Sequence, residues 1–388
     1  MKARNLFSPA FGGLPQVFFG RKDELAFAQT ALDNENSPYR AFFITGNRGC
    51  GKTTLLEKVS QLASERGWAT IDVHSAHATQ AILEALAGGT QKTVEKTATP
   101  SALGVSIGGV SSSTTTAYSQ ASLGSLLVEK CQSLRSRKGI FISVDEIQKV
   151  PAQDAEDLCA AVQLARRKGL PIMLVLAGLP GSKEVVASYP GCTFMQRAYD
   201  MKIGCMEVDE TIDAFRNVFA RTPEYRVDDD AIWEAGLYSQ GYPYLMQLLG
   251  YYAVERAAQR MVGGRAVISV EHVREIEPLA LEAYRENVLV PILDALPTSL
   301  SDYLRAMCEV EHKQGIISTG AVASHMGKTP AQVSSYRKRL IERRLIEAEG
   351  RGRVLFLLPH VREYYEGQVA TLEKKDPRQQ WNRYRSGR

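Results

Sequence analysis

The chain has 388 residues, 44% hydrophobic and 23% charged, with a formal net charge of +4. This is the composition of a folded globular protein with room for two or three domains, which excludes a fibrous or wholly disordered chain. No apolar run approaches the ~20 residues of a membrane span, and residues 1–20 lack a charged-then-apolar leader, so a cytoplasmic protein with no membrane partner is expected.

Six cysteines (Cys50, Cys131, Cys159, Cys192, Cys205, Cys308) are scattered without a CxxC pair, several of them inside apolar patterns. Buried free thiols are expected, with neither a zinc site nor a disulfide frame.

Residues 18–21 read as a turn into a short helix that ends near Asn34. A strand from Ala41 to Ile44 then meets Gly46 to Thr53, reading GNRGCGKT, and a helical pattern runs on to about Arg66. Strand, glycine loop and helix in this order are the context that the P-loop spacing requires. Gly46, Gly49 and Gly51 let the backbone turn its N–H groups around a phosphate, and Asn47, Arg48, Cys50 and Thr54 complete the stretch. The helix start adds its positive dipole end. Lys52 is expected to reach the β- and γ-phosphates, and the Thr53 hydroxyl to sit on Mg²⁺. Cys50 reads as a small tolerated residue within the loop. The motif predicts a bound nucleoside triphosphate.

A second strand is expected over 68–73 and a helix over 79–87. Residues 90–119 turn rich in Thr, Ser and Gly, and 103–110 alternate as a strand does before Gly108 and Gly109. This predicts an inserted β-hairpin at about 100–119, which is either a partner contact or a solvated loop. A helix over about 123–137 leads into an apolar strand, 139–144, followed by Asp145 and Glu146. Parallel sheets take their ligands outside this edge. Asp145 is expected to hold Mg²⁺ through water and Glu146 to polarise the attacking water. A helix over 152–168 and a strand over 171–177 follow, and the alternation predicts a parallel α/β sheet covered on both faces. Arg197 precedes a last strand near 201–206. It either projects onto a neighbouring subunit's γ-phosphate or makes a surface salt bridge.

Helices are then expected over 210–220, 228–239 and 244–260, the last begun by Pro243. A long helix, 270–295, is interrupted at Pro278 and Pro291. Three helices (300–310, 319–327, 329–345) and two strands around Gly350 and Gly352 predict a winged helix. Arg337, Lys338, Arg339 and Arg343 on the third helix, with Arg351 and Arg353 on the wing, are candidates for contacting duplex DNA phosphates. Arg343 also lies near a helix C-terminus, where cations are favoured anyway. The tail from Glu373 carries six Lys or Arg against two acids and is expected to be disordered.

The predicted fold class is thus α/β, a P-loop NTPase parallel sheet with a helical lid, followed by an α+β winged-helix domain. The expected domains are an ATPase core at 1–207, a lid and connecting helix at 208–296, a winged helix at 297–366 and a basic tail at 367–388.

Together these pieces resemble the AAA+ and STAND branch of P-loop ATPases, especially bacterial ATP-binding proteins with origin-initiator-like domains. The resemblance is carried by Phe19 to Arg21, GNRGCGKT, Val144 to Glu146, Leu176 to Pro180, Arg197 and Gly241 to Tyr244, and spans Val17 to the end of the winged helix. It implies ATP and Mg²⁺ as cofactors, with Gly20, Arg21 and Pro243 on the adenine side and a lid that senses the nucleotide. Two departures imply slow hydrolysis and a switch rather than a motor. Ala177 and Gly178 stand where many relatives carry a polar sensor, and residues 242–249 hold no arginine for the γ-phosphate. The winged helix of such proteins either binds DNA or packs as an autoinhibitory or protein-binding module. Partners to expect are therefore ATP, double-stranded DNA, a regulatory protein or further copies of the chain.

Overall fold

The structure, a computed structural model, describes residues 4–10, 15–74, 76–88, 120–134 and 138–367. The expected hairpin at 100–119 and the tail beyond Gly367 lie outside the described residues.

The first half alternates helices and strands. In order they are α1 (Lys22–Asp33), β1 (Ala41–Thr45), α2 (Lys52–Glu65), β2 (Ala69–Val73), α3 (Ala78–Gly88), α4 (Gln120–Ser133), β3 (Ile140–Val144), α5 (Ala152–Arg167), β4 (Ile172–Gly178), α6 (Ser182–Ser188) and β5 (Tyr199–Lys202). The sheet order is β2-β3-β4-β1-β5, and every pair is parallel. Side chains alternate between the two faces of a strand, and this alternation splits the core in two. Phe43, Ile142 and Leu174 pack with α3, α4 and α5 on one face. Phe42, Ile44, Phe141 and Val175 pack with α1 and α2 on the other.

Three expectations change here. The last strand begins at Tyr199 and ends at Lys202 instead of covering 201–206. Ile203 adds one more rung by donating to the Thr45 carbonyl, after which the chain turns under the lid. The helix expected over 123–137 is α4, which starts at Gln120 and ends at Ser133. Helix α6 and the 3₁₀ turn Pro190–Arg197 were not expected.

The helical unit comprises α7 (Val208–Phe219), β6 (Tyr225–Val227), α8 (Asp229–Ser239), α9 (Pro243–Gln259), β7 (Ala266–Ile268), α10 (Val270–Tyr284) and α11 (Val290–Leu293). The parallel pair β6–β7 is new; strands of three residues leave no periodic trace. Helix α10 runs through Pro278 unbroken. The interruption comes at Arg285–Leu289, a π-helical turn in which the Val290 amide bonds the Arg285 carbonyl. Pro291 has no N–H to offer the turn before it, and a wider turn accommodates that loss. Residues 5–8 also pack on this unit: Phe7 lies against Phe215 and Phe219, and the Ser8 amide bonds the Gln247 side chain over 2.8 Å.

The last unit holds α12 (Thr298–Gln314), α13 (Thr319–His325), α14 (Pro330–Glu342), β8 (Ile346–Glu349), β9 (Arg353–Phe356) and α15 (Val361–Glu366). Thr329 and Gln332 form a capping box that starts α14. Gly350 and Gly352, at φ 62° and 78°, turn the antiparallel hairpin β8–β9. Three helices and a hairpin are the arrangement of a winged helix. One continuous apolar cluster joins this unit to the helical unit. No described helix is long and apolar enough to cross a membrane.

Candidate nucleotide-binding site

The phosphate loop leaves β1, which lies between β4 and β5 in the sheet, and Gly51, at φ 88°, caps α2. Three successive carbonyls of the loop, those of Arg48, Gly49 and Cys50, are held from outside it. Tyr242 donates its hydroxyl to the Arg48 carbonyl, the Tyr244 amide donates to Gly49 over 3.1 Å, and the Arg21 guanidinium donates to Cys50 over 3.2 Å. The Asn47 carbonyl accepts from Lys52 Nζ at 3.0 Å and from Cys50 Sγ at 2.9 Å. A trans peptide points its C=O and N–H in opposite directions, so carbonyls drawn outward turn the following amides inward. Among the described residues no acceptor engages the amides of 48–51. The result is a cradle of free donors with a buried lysine beside it.

Asp145 and Glu146 follow β3, which is separated from β1 by β4 alone. Thr53 Oγ1 donates to Asp145 Oδ2 over 2.6 Å, so the loop and the acids expected from the sequence do meet. The Glu146 amide donates to Asp145 Oδ1, fixing that carboxylate from its other side. Glu146 itself adopts left-handed backbone, φ 50°, and its Oε2 takes bonds from Gln148 at 2.7 Å and Lys149 at 3.3 Å. A hydroxyl and a carboxylate sharing one proton beside an anion cradle suit Mg²⁺, which takes oxygen ligands and needs only one or two from protein when phosphates supply others. Among the described residues no set of three His, Cys, Asp or Glu forms a metal cluster elsewhere. A cleft of about 80 Å³ beside the acids is lined by His74, Ala76, Asp145, Glu146 and Lys149.

Two further acids, missed in the sequence, back this corner. Asp72 on β2 accepts from Ser60 at 2.9 Å and from Ser143 at 2.5 Å. Glu57 on α2 pairs with His74 at 3.4 Å. Burial, and then the charges of Asp72 and Asp145, raise the Glu57 carboxyl above its ordinary range, against the pull of His74. A period-2 strand such as β2 carries one polar face in any sheet, so nothing marked Asp72 as special.

The other candidates fall into three places. Gly20 and Arg21 lie between the loop and the lid. Arg21, 8% exposed, also bonds the Gly204 carbonyl and pairs with Glu24 at 3.2 Å. A side chain at Gly20 would strike Met206. Pro243 opens α9 one residue after Tyr242, and Thr54 sits half-buried in the first turn of α2. Arg197 is exposed at the end of the 3₁₀ turn, with no ion pair among the described residues.

Among the described residues no basic side chain of the winged helix bonds the phosphate loop. Arg339, Arg343, Arg351 and Arg353 are exposed, and Lys338 pairs loosely with Glu342 at 3.9 Å. Arg337 is half-buried, and its Nε lacks a partner among the described residues. The turn after α14 does reach the loop: Asn47 Nδ2 donates to the Arg344 carbonyl over 2.7 Å.

Residues 17–175 match the AAA ATPase domain, and residues 286–365 match a domain of unknown function. No curated protein matches the chain. Among solved structures it is similar to the ORC2 protein of Aeropyrum pernix in its ADPNP–ADP complexes, at 16% identity and a TM-score of 0.58, over 94% of this chain and 97% of that one. It is also similar to Cdc6p of Pyrobaculum aerophilum, at 17% identity and a TM-score of 0.50, over 92% and 95%. Residues 17–175 are thus similar to an AAA ATPase domain, and the chain has a P-loop AAA+ fold like that of the Cdc6 and ORC structures.

Proposed function

We propose that the chain binds ATP with Mg²⁺ and hydrolyses it slowly, as an AAA+ or STAND-type switch whose winged helix contacts duplex DNA. The observation that carries this reading is the 2.6 Å bond between Thr53 and Asp145 beside the outward-tied loop, because it brings the hydroxyl and the carboxylate to one point. Thr53 and Asp145 would hold Mg²⁺, which would neutralise charge developing on the phosphates. The loop amides and Lys52 bind and orient the triphosphate, and β1, β3 and the lid keep the pocket rigid. Glu146 orients the attacking water. Its ties to Gln148 and Lys149 must loosen before it can do so, and that accords with slow turnover.

A second reading is favoured by the bond from Asn47 to Arg344: the winged helix acts as a docked regulatory module and meets a protein in place of DNA. Phosphate release from ATP and Mg²⁺ by wild type, lost in Asp145→Ala, tests the catalytic half. Tight ATP binding with no turnover over hours would leave a binding protein only.

A further inference from the structure

Tyr242 caps the start of α9, and it is 1% exposed. Burial, and then the neighbouring Tyr284, hold its phenol far above the usual tyrosine range, so it stays a donor at every physiological pH. Its hydroxyl meets the Arg48 carbonyl, 194 positions away. The next-but-one residue, Tyr244, spends an amide of the first turn of α9, which no helix carbonyl could use, on the Gly49 carbonyl. The two bonds fix consecutive peptides of the loop from one rigid helix end. Space allows no slack: a side-chain carbon at Gly49 would lie 2.9 Å from Tyr244 Cβ and 3.2 Å from Tyr242 Cε1. Gly241 is pressed onto the Met206 backbone, with the Met206 amide bonding the Gly241 carbonyl over 2.8 Å. The chain entering Tyr242 is therefore pinned as well.

We infer that Tyr242 is a positioning residue for the phosphate loop: its hydroxyl holds the Arg48 carbonyl outward and so aims the Gly49 amide at the diphosphate. The inference rests on the nucleotide reading above and gives the lid a direct hold on the anion cradle. Without the hydroxyl, the Arg48 carbonyl is free to rotate inward, where it would repel phosphate oxygens. The lid then reports on the loop, and the loop on the lid, through this bond and its neighbour from the Tyr244 amide.

Tyr284 supplies the control. Its ring meets that of Tyr242 edge-on at 5.2 Å, and its buried hydroxyl has no partner among the described residues. Tyr242→Phe and Tyr284→Phe each remove one hydroxyl from the same pocket, but only the first frees a loop carbonyl. Titration calorimetry with ADP should show about tenfold weaker binding in Tyr242→Phe, the loss expected for one buried bond. Tyr284→Phe should bind ADP as wild type does. Arg21→Gln, which frees the Cys50 carbonyl, should weaken ADP in the same direction, and it carries the test should Tyr242→Phe fail to fold. Wild-type affinity in Tyr242→Phe, or equal losses in Tyr242→Phe and Tyr284→Phe, would overturn the inference while leaving nucleotide binding intact. With Tyr242→Phe unfolded, wild-type affinity in Arg21→Gln would overturn it. Absence of ADP and ATP binding in wild type would instead remove the reading it rests on.

Discussion

The side chain of Asn47 donates to the main-chain carbonyl of Arg344, and this 2.7 Å bond joins residues 297 positions apart. Arg344 accepts it in left-handed backbone, φ 56°, a conformation that costs a residue with a side chain roughly 1–2 kcal/mol. Two more side-chain-to-carbonyl bonds run alongside: Cys205 to Leu357 at 3.5 Å and His360 to Tyr238 at 2.8 Å. The end of the helix bearing Arg337, Lys338, Arg339 and Arg343 is therefore seated against the phosphate loop.

Duplex DNA and the phosphate loop should compete for this end of α14. Asn47→Ala removes one tie of about 1 kcal/mol, so it should bind a duplex about fivefold more tightly than wild type in fluorescence anisotropy. Unchanged affinity would show that the two surfaces act independently.

Glu146→Gln should keep ATP affinity and lose hydrolysis, because the substitution preserves shape and removes the charge that polarises water. Arg197 is exposed at the end of its 3₁₀ turn, and the trans role is tested by complementation. Mixing Arg197→Ala with Glu146→Gln subunits should then restore turnover, since each mixed contact rebuilds one intact site. No recovery in a steady-state assay would confine Arg197 to a single-chain role.

Duplex affinity should fall linearly in log salt concentration, and substituting Arg339 or Arg351 should flatten the slope by about one unit each, since each exposed guanidinium displaces a counterion. Arg337 should have a smaller effect on the slope than Arg339, because its Nε is buried. No binding at low salt would favour the protein-docking reading.

Stability should depend on pH through Glu277 on α10. Burial, and then Glu234, raise its carboxyl from 4.5 to about 8, against the pull of Arg274. The folded state keeps a proton that the unfolded chain releases, so this contribution is full below pH 4.5 and drains away as pH climbs to 8. Glu277→Gln should therefore raise the melting midpoint by at least about 3 °C at pH 8.5 and leave it unchanged at pH 4. Equal midpoints at both pH values would contradict the buried, protonated carboxyl.

The parts legible in the sequence were those written locally. GNRGCGKT between a strand and a helix, and two acids ending an apolar strand, each declare themselves within ten residues. Their meeting follows from parallel topology. What the sequence hid was set by distant contacts. Tyr242 on Arg48, Arg21 on Cys50 and Asn47 on Arg344 join residues 29 to 297 positions apart, and none has a local pattern. Tyr199–Lys202 alternates poorly, with Met201 its one buried side chain, so the sequence pattern puts this strand too late, at 201–206. The helical stretch spans 270–293 much as its pattern predicts, but Pro278 does not interrupt it; the break falls at Arg285–Leu289, ahead of Pro291.

The central claim, that a nucleoside diphosphate or triphosphate seats on the amides of 48–51 beside Lys52, is tested most directly by titration calorimetry of ATP with Mg²⁺ on wild type and Lys52→Ala, both shown folded by circular dichroism. Saturable binding to wild type and none to Lys52→Ala is the expected result. Equal affinity in the two proteins would place any nucleotide away from this loop and contradict the claim.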